Sequence, residues 1–460
     1  MTKRSLSLFV AALLAGCNQP PIGQAVPSGD GPAKPVSVLA GPAVERALLG
    51  NGKIQHVVII VQENRSVDNL FNGLPGADTA TDGLNSVGSH TKLVPTPMTA
   101  RYDLDHSHIG FETEYDSGRM DGFNLEESQC YGREGCGQRE RLAYGYVPQS
   151  EVRPYFDMAE QYVFADRMFE TNQGPSFPAH QYLISGTSTI EKDSEFRASA
   201  KALSATQKVV GGCDSPAGSL ALTIGAHGQE TRQVFPCFER PAITDLLDAK
   251  AISWHYYQPT TGAGLWNAFD AIRHIWQSPE YAQNVIWPSR RIFGDVSQHT
   301  LPSVVWVIPP SKSSDHPHTT DGSGPAWVAS VVDAVGKSTY WNNTAIFVLW
   351  DDWGGWYDHV KPEQYNAYEL GFRVPLIVIS PYAKKAYVSH ARHEFGSILK
   401  FTEKAFGLPS LGTTDARSDD LADCFNFLQK PRRFVPIKKQ LPESYFLTQP
   451  NSTEPVDDDY

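Results

Sequence analysis

The chain has 460 residues, enough for one large domain or two of ordinary size. With 41% hydrophobic and 20% charged residues it is globular rather than disordered or fibrous. Thirty-nine Lys and Arg against 51 Asp and Glu give a net charge of −12, which argues against nucleic acid as the main partner. An anionic ligand is still compatible, because a local site can be positive or metal-bearing within an acidic protein.

In chain order, Lys3 and Arg4 precede an apolar run over 5–16 that is too short to span a bilayer. The run ends in Leu14-Ala15-Gly16-Cys17, which resembles a bacterial lipobox. Residues 1–17 are therefore read as a lipoprotein signal with the lipid on Cys17. Asn18 stands where an Asp would mark inner-membrane retention, so the expectation is an exported, lipid-anchored protein, periplasmic or outer-membrane-facing in a Gram-negative host. Residues 18–45, rich in Pro, Gly and Ala, read as a flexible tether. One folded domain is expected over 46–435, followed by a polar, mobile tail over 436–460.

Runs at 57–61, 304–308, 345–350 and 374–379 are rich in Val and Ile without alternation, as in parallel strands covered on both faces. Helical patterns at 242–249, 328–335 and 394–405 lie among them. This alternation predicts an α/β fold with a mostly parallel central sheet and helices on both faces. Two segments lack the rhythm, 73–146 and about 188–240. They read as loop-rich insertions over one rim of the sheet, where specificity is usually shaped. Their four cysteines predict the pairs Cys130–Cys136 and Cys213–Cys237, with Cys424 free; export to an oxidising compartment makes disulfides plausible. No Cys-x-x-Cys pair points to a cysteine zinc site.

Two apolar strands run directly into acidic or amide residues: the first into Glu63-Asn64, another into Asp351-Asp352. Ligands in open α/β sheets bind at the carboxyl ends of strands. Three carboxylates and an amide oxygen there suit one divalent cation, although each could instead cap a following turn. Adjacent like charges at Asp351 and Asp352 favour the cation. Ser176, in "NQGPSFPAH", stands before a helical run whose Pro178 suits a first turn. It is either the helix cap or a nucleophile placed where N–H groups and the helix dipole tolerate an anion. The run is not Gly-x-Ser-x-Gly, so an α/β-hydrolase elbow is not supported. His106 in "DLDHSH", His255 in "SWHYY" and His316 in "SSDHPH" supply candidate proton shuttles. His359 in "YDHV" is a lesser candidate, beside an Asp that fixes it in a turn.

The motifs "QENRSVDNLF", "DLDHSH…MDGF", "TNQGPSFPAH", "SDHP", "DDWGGWYDHV" and "RVPLIVISPYAKKAYVSH" occur in order over about 54–410. They resemble the bacterial phosphoesterase family that contains non-specific phospholipases C and related acid phosphatases. That resemblance implies an alkaline-phosphatase-like α/β fold and hydrolysis of phosphoric esters. It also implies Ser176 as nucleophile, with His106, His316 and, on a shorter motif, His255 assisting. Glu63, Asn64, Asp351, Asp352 and the Ser176 oxygen would hold one divalent metal ion. Asp352-Trp353 stands where phospholipases C carry an acid and then a histidine, which is closer to the acid-phosphatase branch. His180 occupies the place of the arginine in the sulfatase Cys/Ser-x-Pro-x-Arg motif, which argues against a sulfatase. The expected partners are a phosphate ester, phospholipid included, and the membrane through the N-terminal lipid. The alternative is a surface lipoprotein that binds a ligand without catalysis.

Overall fold

The Val- and Ile-rich runs pair into a single eight-stranded sheet. In chain order its strands are β1 (His56–Gln62), β2 (Val163–Ala165), β3 (Trp254–Tyr257), β4 (Val285–Ile286), β5 (Val304–Val307), β6 (Thr344–Trp350), β7 (Leu376–Ile379) and β8 (Tyr387–Ser389). This computed structural model describes residues 52–131, 136–261 and 264–451, so the signal, Cys17 and the tether lie outside the described residues. The strand order is β4-β3-β5-β1-β6-β7-β2-β8. Every pairing is parallel except those of β7, which runs antiparallel to both β6 and β2. The run at 374–379 is therefore a buried strand, as its composition predicts, but not a parallel one. Val57 to Val61 are each at most 1% exposed, and burying each such side chain contributes roughly 1.5–3 kcal/mol.

Four helices matter for the site: α1 (Arg153–Gln161), α2 (Ser176–Ser185), α3 (Gly324–Lys337) and α4 (Phe395–Phe406). Helices α1 and α3 pack together, as do α2 and α4, covering both faces of the sheet. No helix among the described residues is long and apolar enough to cross a membrane.

The two insertions are structured. Residues 188–240 form a four-stranded antiparallel sheet beside α2, built from Arg197–Leu203, Val209–Val210, Leu220–Ile224 and Glu230–Val234. The 73–146 segment brings its own apolar cluster, in which Phe111 and Phe123 pack with Trp353, Trp356 and Phe372. Both predicted disulfides are present, Cys130–Cys136 and Cys213–Cys237, and Cys424 is free and buried. The segment from 436, read from sequence as a mobile tail, instead packs as far as 451. Ile437 and Phe446 are buried, and Lys439 Nζ donates to Asp333 Oδ2 at 2.5 Å.

Candidate active site

Strand register assembles the site. Gln62 and Trp350 are the last paired residues of β1 and β6, so Glu63-Asn64 and Asp351-Asp352 emerge side by side. Backbone bonds lock that exit, with Asp351 N donating to Gln62 O at 2.9 Å and Arg65 N to Asp352 O at 3.0 Å. From the other neighbour of β1, the loop after β5 joins through Glu63 N to Ser314 O at 2.8 Å. That bond places Asp315 and His316 over the same strand ends. Asn64 takes a left-handed conformation at φ 60°, and its N–H donates to Asp351 Oδ1 at 3.0 Å. Gly354 is also left-handed, at φ +64°; a Cβ there would stand 2.5 Å from Asn64 O, so only glycine closes this loop.

Ser176 is the first residue of α2, and Pro175 occupies the cap position. The serine Oγ donates to Asp352 Oδ2 at 3.1 Å. Asp352 is held in turn by Gly354 N on Oδ1 at 2.8 Å, while Asn64 Nδ2 lies 3.4 Å from Oδ2. Asn64 Nδ2 also meets His106 Nε2 at 3.0 Å. His106 Nδ1 is held by Leu104 O at 2.7 Å and His316 Nδ1 by Pro317 O at 2.9 Å, which makes Nε2 the basic nitrogen of each neutral ring. The two rings are 6.3 Å apart between centroids.

One participant was missed in the sequence. His180 Nε2 is 3.3 Å from Glu63 Oε1 and 3.6 Å from Asp351 Oδ2, with all three side chains buried. It lies four residues after Ser176 on α2, so the two share one helix face, and that spacing was the available signal. Glu170, also absent from the sequence reading, is fully buried. Burial, then the charges of Asp352 and Asp351, push its carboxyl well above the ordinary range.

His255 is not brought to this group. Its Nδ1 meets Tyr257 Oη at 3.1 Å and lies 3.7 Å from Asp295 Oδ2. Side chains alternate along a strand, and its neighbour Tyr256 is the residue that feels the charges of Glu63 and Asp351. His359 belongs to a separate ion-pair network: its Nδ1 lies 2.6 Å from Asp68 Oδ2, while Arg373 pairs with Asp358. Around the site, burial pushes the Asp315 carboxyl up to about 6, offset in part by the Tyr155 hydroxyl donating at 2.6 Å. The Arg65 guanidinium donates to Asp315 O at 2.7 Å and so fixes the loop that carries His316.

The residues fit a divalent cation. Asn64 Oδ1 and Asp351 Oδ2 are buried acceptors without a hydrogen bond, beside two further carboxylates. Oxygen donors of this kind suit a hard ion. Glu63, His180 and Asp351 offer donor atoms within 4.8 Å of one another.

The model of the Phosphoesterase family matches residues 54–409, which contain every residue of this site. The chain belongs to the phosphoesterase family. Non-hemolytic phospholipase C of Pseudomonas aeruginosa is 24% identical over 88% of this chain and 62% of its own length. Phospholipase C B of Mycobacterium tuberculosis is 24% identical over 86% and 84%, and non-specific phospholipase C1 of Arabidopsis thaliana 23% identical over 85% and 74%. The chain thus spans about six-tenths of the length of the Pseudomonas relatives it matches. Among solved structures, an alkaline phosphatase superfamily protein from Vibrio parahaemolyticus aligns over 80% of this chain and 70% of its own chain. The identity is 11% and the TM-score 0.37.

Proposed function

We propose that this chain is a phosphoric ester hydrolase with Ser176 as its nucleophile. The observation that carries the proposal is the Ser176 hydroxyl, buried at the start of α2 and bonded to Asp352 between the ends of β1 and β6. Family membership supports the reaction class. Glu63, Asn64, Asp351, Asp352 and Ser176 Oγ would hold one divalent cation. Such an ion offsets charge on the transferring group and lowers the pKa of a bound hydroxyl.

In the reaction, Ser176 passes its proton to Asp352 Oδ2, its hydrogen-bond acceptor. Oγ attacks phosphorus in line with the ester oxygen, the P–O bond to the alcohol breaks, and a phosphoserine forms. His106 or His316, in the imidazolium form, protonates the departing alcohol from Nε2. The neutral imidazole then takes a proton from the water that attacks the phosphoserine, the P–Oγ bond breaks, and Asp352 returns its proton to Ser176 Oγ, which frees the phosphate product and regenerates the serine. The positive end of the α2 dipole favours the charge on the equatorial oxygens, electrostatic stabilisation being the usual main source of rate in phosphoryl transfer.

Phosphomonoesters and phospholipid headgroup esters are the two substrate classes. The names of the relatives support the second, and the Asp352-Trp353 pair supports the first. A hydrolysis panel of p-nitrophenyl phosphate, p-nitrophenyl phosphorylcholine and phosphatidylcholine, with and without chelator, tests this. Monoester activity alone removes the phospholipase C reading; no hydrolysis at all favours a binding lipoprotein. Export and lipid anchoring through Cys17 belong to the same proposal, supported by two disulfides, which persist in oxidising compartments. Cys17→Ser is expected to move the protein from the membrane fraction to the soluble fraction, and unchanged partition contradicts the anchor.

A further inference from the structure

Three segments of the C-terminal third meet at a second group of chemically active side chains: the end of β8 at Ser389, the short strand His393–Glu394 before α4, and the turn Ala422–Cys424. His393 Nε2 lies 3.7 Å from Asp423 Oδ1, and Cys424 Sγ lies 3.6 Å from the same oxygen. The three donor atoms are all within 4.8 Å of one another. Ligands 2.0–2.3 Å from a tetrahedral ion stand roughly 3.3–3.8 Å apart, so both measured edges have the right length. Ser389 Oγ is 3.1 Å from His393 Nε2 and would lie beside the fourth position.

The outer contacts are those of a metal-bound histidine. His393 Nδ1 lies 2.8 Å from Asp419 Oδ1, and that oxygen also accepts from Ser397 Oγ at 2.6 Å. A carboxylate on Nδ1 fixes that nitrogen as the donor and turns the Nε2 lone pair toward a metal. Ser389 has one hydroxyl proton and gives it to Asp423 Oδ2, so its oxygen accepts from His393 Nε2–H, and Cys424 Sγ donates to Asp423 Oδ1; a metal would take the place of these two protons. A soft thiolate beside imidazole and carboxylate selects zinc among the common divalent ions. By contrast, the Asp68–Asp358–His359 group has the Arg373 guanidinium against its carboxylates and needs no further cation.

We propose that His393 Nε2, Asp423 Oδ1 and Cys424 Sγ form a zinc site, separate from the Ser176 cluster, that ties the C-terminal turn and the start of α4 to the edge of the sheet. Binding releases the Cys424 thiol proton and the His393 Nε2 proton to solvent, with Nδ1–H kept on Asp419. One thiolate and one carboxylate then balance the two charges of the ion.

The test uses the full chain stripped of metal and reloaded with Co(II). A thiolate ligand gives a near-ultraviolet sulfur-to-cobalt charge-transfer band, which the Ser176 cluster, having no thiol, does not produce. The expected result is the band in the wild type and in Asp352→Asn, its loss in the near-isosteric Cys424→Ser, and one fewer bound zinc per chain in that variant. Absence of the band from the wild type overturns the site, as does an equal band in Cys424→Ser. Neither result bears on Ser176, whose role is read from ester hydrolysis.

Discussion

Asp352→Asn separates the chemical role of Asp352 from its structural one. The side chain keeps its shape, and Oδ1 still accepts from Gly354 N, at 2.8 Å in the wild type. At Oδ2 an amide replaces the oxygen that receives Ser176 Oγ at 3.1 Å. A hydrogen bond to a charged acceptor contributes about 1.5–3 kcal/mol, and positioned proton transfer typically contributes about 10²–10⁴-fold in rate. The expected fall in kcat/KM is on the order of 10³-fold, about 4 kcal/mol of transition-state stabilisation. Stability shifts the other way. Glu63, Asp351, Asp352 and Glu170 share one buried region, and two unit charges 4 Å apart repel by about 4 kcal/mol at an effective dielectric constant of 20. Removing one charge relieves part of that repulsion. In chelator the variant is therefore expected to melt at or above the wild-type Tm, while added divalent metal raises its Tm less. Turnover of a p-nitrophenyl ester and calorimetry with and without metal read both effects. Activity within tenfold of wild type together with an unchanged metal-induced rise in Tm would refute the reasoning.

His180→Ala removes the imidazole that orients Glu63 and Asp351, so the metal concentration giving half-maximal activity is expected to rise about 10–100-fold. A metal titration of turnover checks it, and a change under twofold counts against the role. His359 titrates in the folded state at about 9: burial lowers its pKa, but the hydrogen bond and charge of Asp68 more than offset this. A raised folded pKa contributes stability that is fully present below the unfolded value near 6.5 and lost as pH rises through about 9. His359→Gln is accordingly expected to lower Tm most near pH 6 and least near pH 10; a pH-independent loss contradicts this.

Much of the fold was legible because apolar runs and their abrupt acidic ends are local features. The two strand ends at Glu63-Asn64 and Asp351-Asp352 could be paired on paper, and register then placed them side by side. Strand direction was not legible: a strand buried on both faces has the same composition whichever way it runs, so the antiparallel β7 left no mark on residues 374–379. His255 failed through the alternation of side chains, since one step along β3 exchanges the site face for the opposite one. His180 was read only against the sulfatase motif and not as a site residue, because its partners Glu63 and Asp351 are more than 100 residues away in sequence, although its four-residue spacing from Ser176 was visible. Packing of residues 436–451 rests on isolated apolar residues, Ile437 and Phe446, in a polar stretch, a pattern too sparse to announce a docked segment.

The most direct measurement of the central claim is acid quenching of the enzyme during turnover of its fastest chromogenic ester, followed by mass spectrometry of the peptide containing residue 176. The account predicts a phosphoryl adduct on Ser176 in the wild type. In a folded Ser176→Ala variant it predicts no adduct and turnover reduced at least about 10³-fold. Turnover near wild type in that variant, or an adduct on another residue, would contradict it.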